Sequence, residues 1–206
     1  TYKFEIASKM GARAAFIIHD SEAAGYGFDV VKASWGTENF NLDQSENRVE
    51  VEGWLSAACA DSLLAANGLN LADLKKQAEE SNFESIILPG QLNISVKNKL
   101  RRFRSTNVIA SIEGNDSRLK DECVIYSAHW DHFGSKEIPG KTEKEIFSGA
   151  LDNASGVAVL LEIARILKGS KPPRTILFLF TTLEEFGLLG SRYYTENPLF
   201  ALNSTT

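Results

Sequence analysis

Apolar and polar positions alternate with two different periods along this chain, and the changes of period outline its elements. Residues 11–18, Gly-Ala-Arg-Ala-Ala-Phe-Ile-Ile, read as the close of a helix or turn feeding a buried strand, with His19 and Asp20 at the strand's exit. Gly25, Gly27 and Gly36, with Ser34 and Asn39, mark turns. Residues 49–51 read as a short strand. Ser56 is placed to cap a helix through Leu64 that Gly68 closes, and Asn70 to cap a second helix through Glu79. At Leu88-Pro89-Gly90 the chain is punctuated and the pattern turns to strands over 92–96, 107–112 and 123–127, with a turn at residues 114–116. Residues 133–148 are polar and contain Gly and Pro, which suits a surface loop beside a site. From Asn153 a helix follows, with Val157, Leu160, Leu161, Ala164 and Leu167 on one stripe, ended by Gly169 and Pro172-Pro173. Residues 175–181 are continuously apolar between two threonines, as in a strand buried on both faces of a parallel sheet.

The order strand, loop, helix, strand, loop, helix predicts an α/β fold, part of a mixed, mainly parallel sheet with flanking helices. Two domains are expected, residues 1–89 and 90–206, the first a smaller α+β body. In open α/β sheets ligands collect outside the carboxyl ends of the strands. His129, Asp152 and the Glu184-Glu185 pair each fall just after a predicted strand or just before a predicted helix.

These residue types suit a hydrolytic zinc centre, which needs nitrogen and oxygen ligands and a position open to water. His129, in Ser-Ala-His-Trp-Asp-His, ends an apolar strand, and Asp131 is placed to orient its imidazole. A hydrogen-bonded histidine at a strand end is the plainer alternative. Asp152 precedes a helix and would serve as an ordinary N-cap, unless Asn153 takes that role and leaves Asp152 free for a cation. Glu184 and Glu185 repel each other at the end of an apolar strand, a costly arrangement unless a cation lies between them or water solvates both. His19 has no accompanying carboxylate or thiol pattern and reads as a loop residue.

Composition narrows the function classes. The 206 residues are 43% hydrophobic and 24% charged, as in ordinary globular proteins. The net charge is -5 and the pI about 5.3, with basic residues scattered apart from a run at 97–104, which argues against a nucleic-acid partner. The longest apolar run falls far short of the roughly 20 residues a bilayer span needs, so no membrane segment is expected. The two cysteines, Cys59 and Cys123, leave a single bridge open. The first residues lack an initiator Met and a leader and read as the middle of a fold.

Four stretches together resemble the co-catalytic zinc exopeptidases, typified by bacterial leucyl aminopeptidases and glutamate carboxypeptidase II. They are Asn-Val-Ile-Ala at 107–110, Ser-Ala-His-Trp-Asp-His at 127–132, Gly-Ala-Leu-Asp-Asn-Ala-Ser-Gly at 149–156 and Glu-Glu-Phe-Gly-Leu-Leu-Gly-Ser at 184–191. The resemblance implies the phosphorylase/hydrolase-like fold of zinc exopeptidases and a centre of two zinc ions. It makes His129 a ligand to one zinc, Asp152 the bridge, Glu185 a ligand to the other and Glu184 the general base. The first domain resembles the protease-associated (PA) insert of several members, through Tyr2-Lys3 and the stretches 11–15 and 23–27. An aminopeptidase acting on peptides, secreted or periplasmic, is implied. The alternatives are a carboxypeptidase of the glutamate carboxypeptidase kind, a glutaminyl-cyclase-like acyltransferase and a receptor-like ectodomain. The family completes its centre with a further Asp and His downstream of the Glu-Glu pair, whereas no Asp or His follows Glu196 here. A chain cut at both ends, holding zinc weakly and inactive alone, is therefore expected, with His132 outside the ligand set.

Overall fold

The computed structural model describes residues 2–43, 48–137 and 142–205. In chain order the elements are α1 (Tyr2–Lys9), β1 (Ala14–His19), α2 (Ser21–Ala24), α3 (Phe28–Trp35), β2 (Val51–Ser56), α4 (Ala57–Ala65), α5 (Leu71–Ala78), β3 (Val108–Ile112), β4 (Cys123–His129), β5 (Gly134–Glu137), β6 (Lys144–Phe147), α6 (Ser155–Leu167), β7 (Thr175–Thr181) and α7 (Leu189–Glu196). They form two compact units, one of residues 1–39 and 43–99, the other of 40–42 and 100–206.

In the first unit β1 and β2 pair in parallel, from Ala14 opposite Val51 to His19 opposite Ser56. Ser56 ends β2 and starts α4, its hydroxyl accepting the Cys59 N–H at 3.2 Å, and Asn70 does the same for α5 by accepting the Asp73 N–H at 3.1 Å. Both caps were legible because each satisfies an amide that the first helical turn leaves without a partner. Ala60, Leu64 and Leu71 make the small core, with Leu55 and Leu74 against it.

Three expectations need correction in this unit. Residues 28–35 form α3, because the glycines at 27 and 36 bound a helix instead of filling a turn. His19 is no loop residue: it closes β1, is 3% exposed, lies with Nε2 2.9 Å from the Tyr26 carbonyl oxygen and packs on the rings of Tyr26 and Trp54. Residues 92–96 are not a strand. Their alternation is strand-like, but among the described residues no neighbouring strand completes a ladder, and Leu92 and Val96 are exposed.

The second unit is built on a three-stranded sheet in the order β3-β7-β4. β7 runs antiparallel to β3 and parallel to β4, so the sheet is mixed and the α/β class expected from the sequence is borne out. Successive side chains of a strand point to opposite faces. Ile176 and Phe178 therefore meet Leu160 of α6 with Ala128 on one side, while Leu177 and Leu179 meet Tyr194 of α7 with Cys123 on the other. Helices thus cover both faces of β7, the reason its sequence is continuously apolar.

The stretch 133–148 is more ordered than a loop: β5 and β6 pair as an antiparallel hairpin, with Gly134 opposite Phe147. Its Pro139 and Gly140 lie outside the described residues. Both cysteines are free thiols, Cys59 exposed and Cys123 buried. No helix among the described residues is long and apolar enough to cross a membrane.

Candidate metal centre

β4 and β7 end side by side, His129 opposite Thr181, and the Trp130 N–H continues the ladder to the Thr181 carbonyl oxygen at 3.0 Å. His129 therefore leaves the sheet at the carboxyl end of one parallel strand, and the Glu184-Glu185 pair leaves at the same end of its neighbour. Asp152 arrives from a third direction, the irregular turn that opens α6.

That turn shows why two adjacent polar residues are needed. The side chain of Asn153 accepts the Gly156 N–H at 3.0 Å, capping the helix. A Cβ on residue 156 would lie 2.1 Å from that same oxygen, so any larger residue there would push the cap aside. Asp152, joined to Asn153 through a cis peptide, is left with a carboxylate 2.9 Å from His129 Nε2.

The Glu-Glu pair sits on a tight turn, where the amides of Gly187 and Leu188 donate to the Glu184 carbonyl oxygen at 3.0 and 2.9 Å. Leu183 and Leu188, on either side, take left-handed backbone conformations with φ of 53° and 59°. For a leucine each costs on the order of 1–3 kcal/mol and persists only where surrounding contacts over-determine it. Asn107 supplies such contacts: it accepts the Thr182 N–H at 3.1 Å and donates to the Gly190 carbonyl oxygen at 2.8 Å, clamping both ends of the turn. Asp131 adds a third fastening, its carboxylate accepting the Glu184 N–H at 3.1 and 3.2 Å. Sequence reading missed the part played by Asn107, although its stretch was among those quoted. An asparagine directly before an apolar strand was the available signal.

His129 is 8% exposed. Its Nδ1 lies 3.0 Å from the main-chain oxygen of Asp131, so the imidazole is oriented by that carbonyl, while the Asp131 carboxylate stands 3.9 Å away. Nε2 faces Asp152 and, at 3.8 Å, a Glu184 oxygen. Burial alone would lower the histidine's pKa. The hydrogen bond to the Asp131 carbonyl and the charges of Glu184, Asp152 and Asp131 outweigh it, and the pKa stands above the ordinary imidazole value. The pocket around Nε2 thus favours positive charge.

The donor atoms converge in two groups, His129 with Glu184 and Glu185, and His132 with Asp152 and Glu185, each within 4.8 Å of one another. All four residues singled out from the sequence as ligands or base are brought together. His132, expected outside the ligand set, lies beside it, its Nδ1 in contact with a Glu185 oxygen. Imidazole nitrogens and carboxylate oxygens converging on a cation-favouring pocket fit zinc.

Residues 107–206 match the model of Peptidase family M28. The match falls on the stretches that carry the zinc-exopeptidase resemblance and bears it out. Aminopeptidase NAALADL1 of Rattus norvegicus is 38% identical over 122 residues, 56% of this chain and 14% of that protein. A vacuolar membrane protease of Candida albicans (strain WO-1) is 32% identical over 106 residues, 52% of this chain and 11% of its own. The chain thus spans a small part of the length of the curated relatives it matches. Among solved structures, BSAP, a zinc aminopeptidase from Bacillus subtilis, is 32% identical and covers 48% of this chain and 22% of its own, with a TM-score of 0.37. An aminopeptidase from Aneurinibacillus sp. strain AM-1 is 24% identical and covers 98% of this chain and 39% of its own, with a TM-score of 0.42.

Proposed function

We propose that the chain carries the metal-binding portion of a zinc aminopeptidase that removes N-terminal residues from peptides. The observation that carries this reading is the convergence of His129, Asp152, Glu184 and Glu185 at the carboxyl ends of two parallel strands. The family match and the names of the relatives support it. In this reading His129, Asp152 and Glu185 would hold the zinc. Bound zinc supplies Lewis-acid polarisation of the scissile carbonyl and a lowered pKa for the attacking water.

The chain's own residues do the rest. Glu184 is the general base. Its carboxylate is a third exposed and 3.8 Å from His129 Nε2, within reach of a water held at the cluster, and its main chain is fixed by the Asp131 carboxylate. Glu184 Oε2 takes the water's proton and returns it to the leaving amine. Asp131 orients His129 through its carbonyl, which sets the tautomer that turns Nε2 toward the centre.

The reading is tested by Glu184→Gln in the protein that contains this segment. Turnover should fall by orders of magnitude while zinc content is retained, and persistent activity in that variant overturns the assignment. The first unit is proposed to be a PA insert, on the strength of its matching stretches; removing it should alter the handling of long peptides more than that of dipeptide amides. The protein is proposed to be secreted or periplasmic, by analogy with PA-bearing exopeptidases, and fractionation of the source cells is the check.

A further inference from the structure

We infer that His132 is a positioning residue that fixes Glu185 in the orientation needed to hold a metal ion; the inference rests on the zinc reading above. Its Nδ1 contacts one carboxylate oxygen of Glu185, and both side chains are largely withdrawn from water, at 21% and 11% exposure. One oxygen of Glu185 is thereby engaged by an imidazole, which leaves the carboxylate's second oxygen to serve a cation. A ligating carboxylate that is itself hydrogen-bonded loses little freedom on binding.

The imidazole is itself held. Its ring packs against Phe133 at 4.9 Å and Phe147 at 6.4 Å between centroids, so the β5–β6 hairpin flanks it. On another side lies Gly149, with φ of 60°, where an added Cβ would stand 3.0 Å from His132 Cβ and 3.2 Å from its Cγ. The same glycine opens the turn that delivers Asp152. His132 thus links the hairpin, the Asp152 turn and the Glu185 turn at one ring.

The geometry commits to a tautomer. A carboxylate accepts, so Nδ1 of the neutral ring carries the proton, whereas a histidine without such a partner is free to carry it on Nε2. In nitrogen-15 spectra of the metal-free chain at alkaline pH, His132 should show the Nδ1-protonated tautomer and should lose that preference in Glu185→Ala. An Nε2-protonated His132 in the wild type overturns the inference without touching the zinc reading.

The second measurement is zinc affinity by competition with a chromophoric chelator. His132→Ala should weaken binding about 10- to 100-fold. His132→Asn, whose amide nitrogen stands where Nδ1 stood, should restore most of that loss, and His132→Gln, which moves the donor outward, should not. Equal affinity in wild type and His132→Ala overturns the inference. Failure of Asn to rescue means that His132 is a direct ligand and also overturns it. A wild-type protein that binds no zinc sinks the metal reading and this role with it.

Discussion

Asn107 is the side chain whose loss most directly tests how the Glu184-Glu185 turn is held. Replacing it with alanine removes the acceptor of the Thr182 N–H and the donor to the Gly190 carbonyl oxygen. Thr182 is 7% exposed and Gly190 is buried, so neither main-chain group gains water in exchange. An orphaned buried polar group costs about 1–3 kcal/mol, and because the Gly190 carbonyl sits in the first turn of α7 and keeps the helix's own amide as a partner, the Thr182 N–H alone is orphaned and the loss is about 1–3 kcal/mol for the second unit. The left-handed backbone of Leu183 and Leu188 is then held by fewer contacts, and the turn relaxes. Cys123 provides the probe, because it is fully buried on β4 within the same sheet while Cys59 is exposed. In a Cys59→Ser background, the urea dependence of Cys123 alkylation reports opening of the second unit alone. Asn107→Ala should shift that curve to lower urea by the stated free energy, and hydrogen exchange should accelerate at Thr182. A change below about 0.5 kcal/mol, the range of ordinary surface substitutions, refutes the clamp.

Phe178→Ala, at a side chain 2% exposed between α6 and the sheet, should destabilise the second unit by about 3–5 kcal/mol in the same alkylation assay. Gly190→Ala would place a Cβ 2.3 Å from the Thr182 carbonyl oxygen and should abolish zinc binding along with the turn, read by chelator competition. At alkaline pH the sign is set by two buried acids: burial pushes both the Cys123 thiol and the Tyr194 phenol above their ordinary values of 9.0 and 10.0. The neutral forms are favoured in the fold, so stability should be complete below about pH 9 and fall as pH rises beyond it, with Tyr194→Phe reducing the fall in urea titrations at pH 8 and pH 10.5.

The parts of the structure legible in the sequence share a local cause. Ser56 and Asn70 were readable as caps because the capping bond spans three residues. β7 was readable because both its faces are covered, which leaves no polar position in its interior. Asn153 could be separated from Asp152 because only one of the two can serve the helix. What escaped depends on distant partners. Residues 92–96 carry a strand pattern but lack a ladder, and the β5–β6 hairpin hides in a polar segment whose order comes from cross-strand pairing. His132 could not be assigned because its partner, Glu185, lies 53 positions away. Asn107 is the clearest case, since both its partners lie beyond residue 180.

The strand order has a consequence for how this unit comes into being during synthesis. β3 and β4 leave the ribosome first, yet among the described strands neither pairs with the other; both pair with β7, which comes more than 45 residues after β4 ends. Until β7 emerges the β3-β7-β4 sheet lacks its central strand, and two strands rich in apolar residues wait for their shared partner. His129 and Glu184 flank the same late pairing. The entry of β7 beside β4 is therefore also what brings the Glu184-Glu185 turn alongside His129.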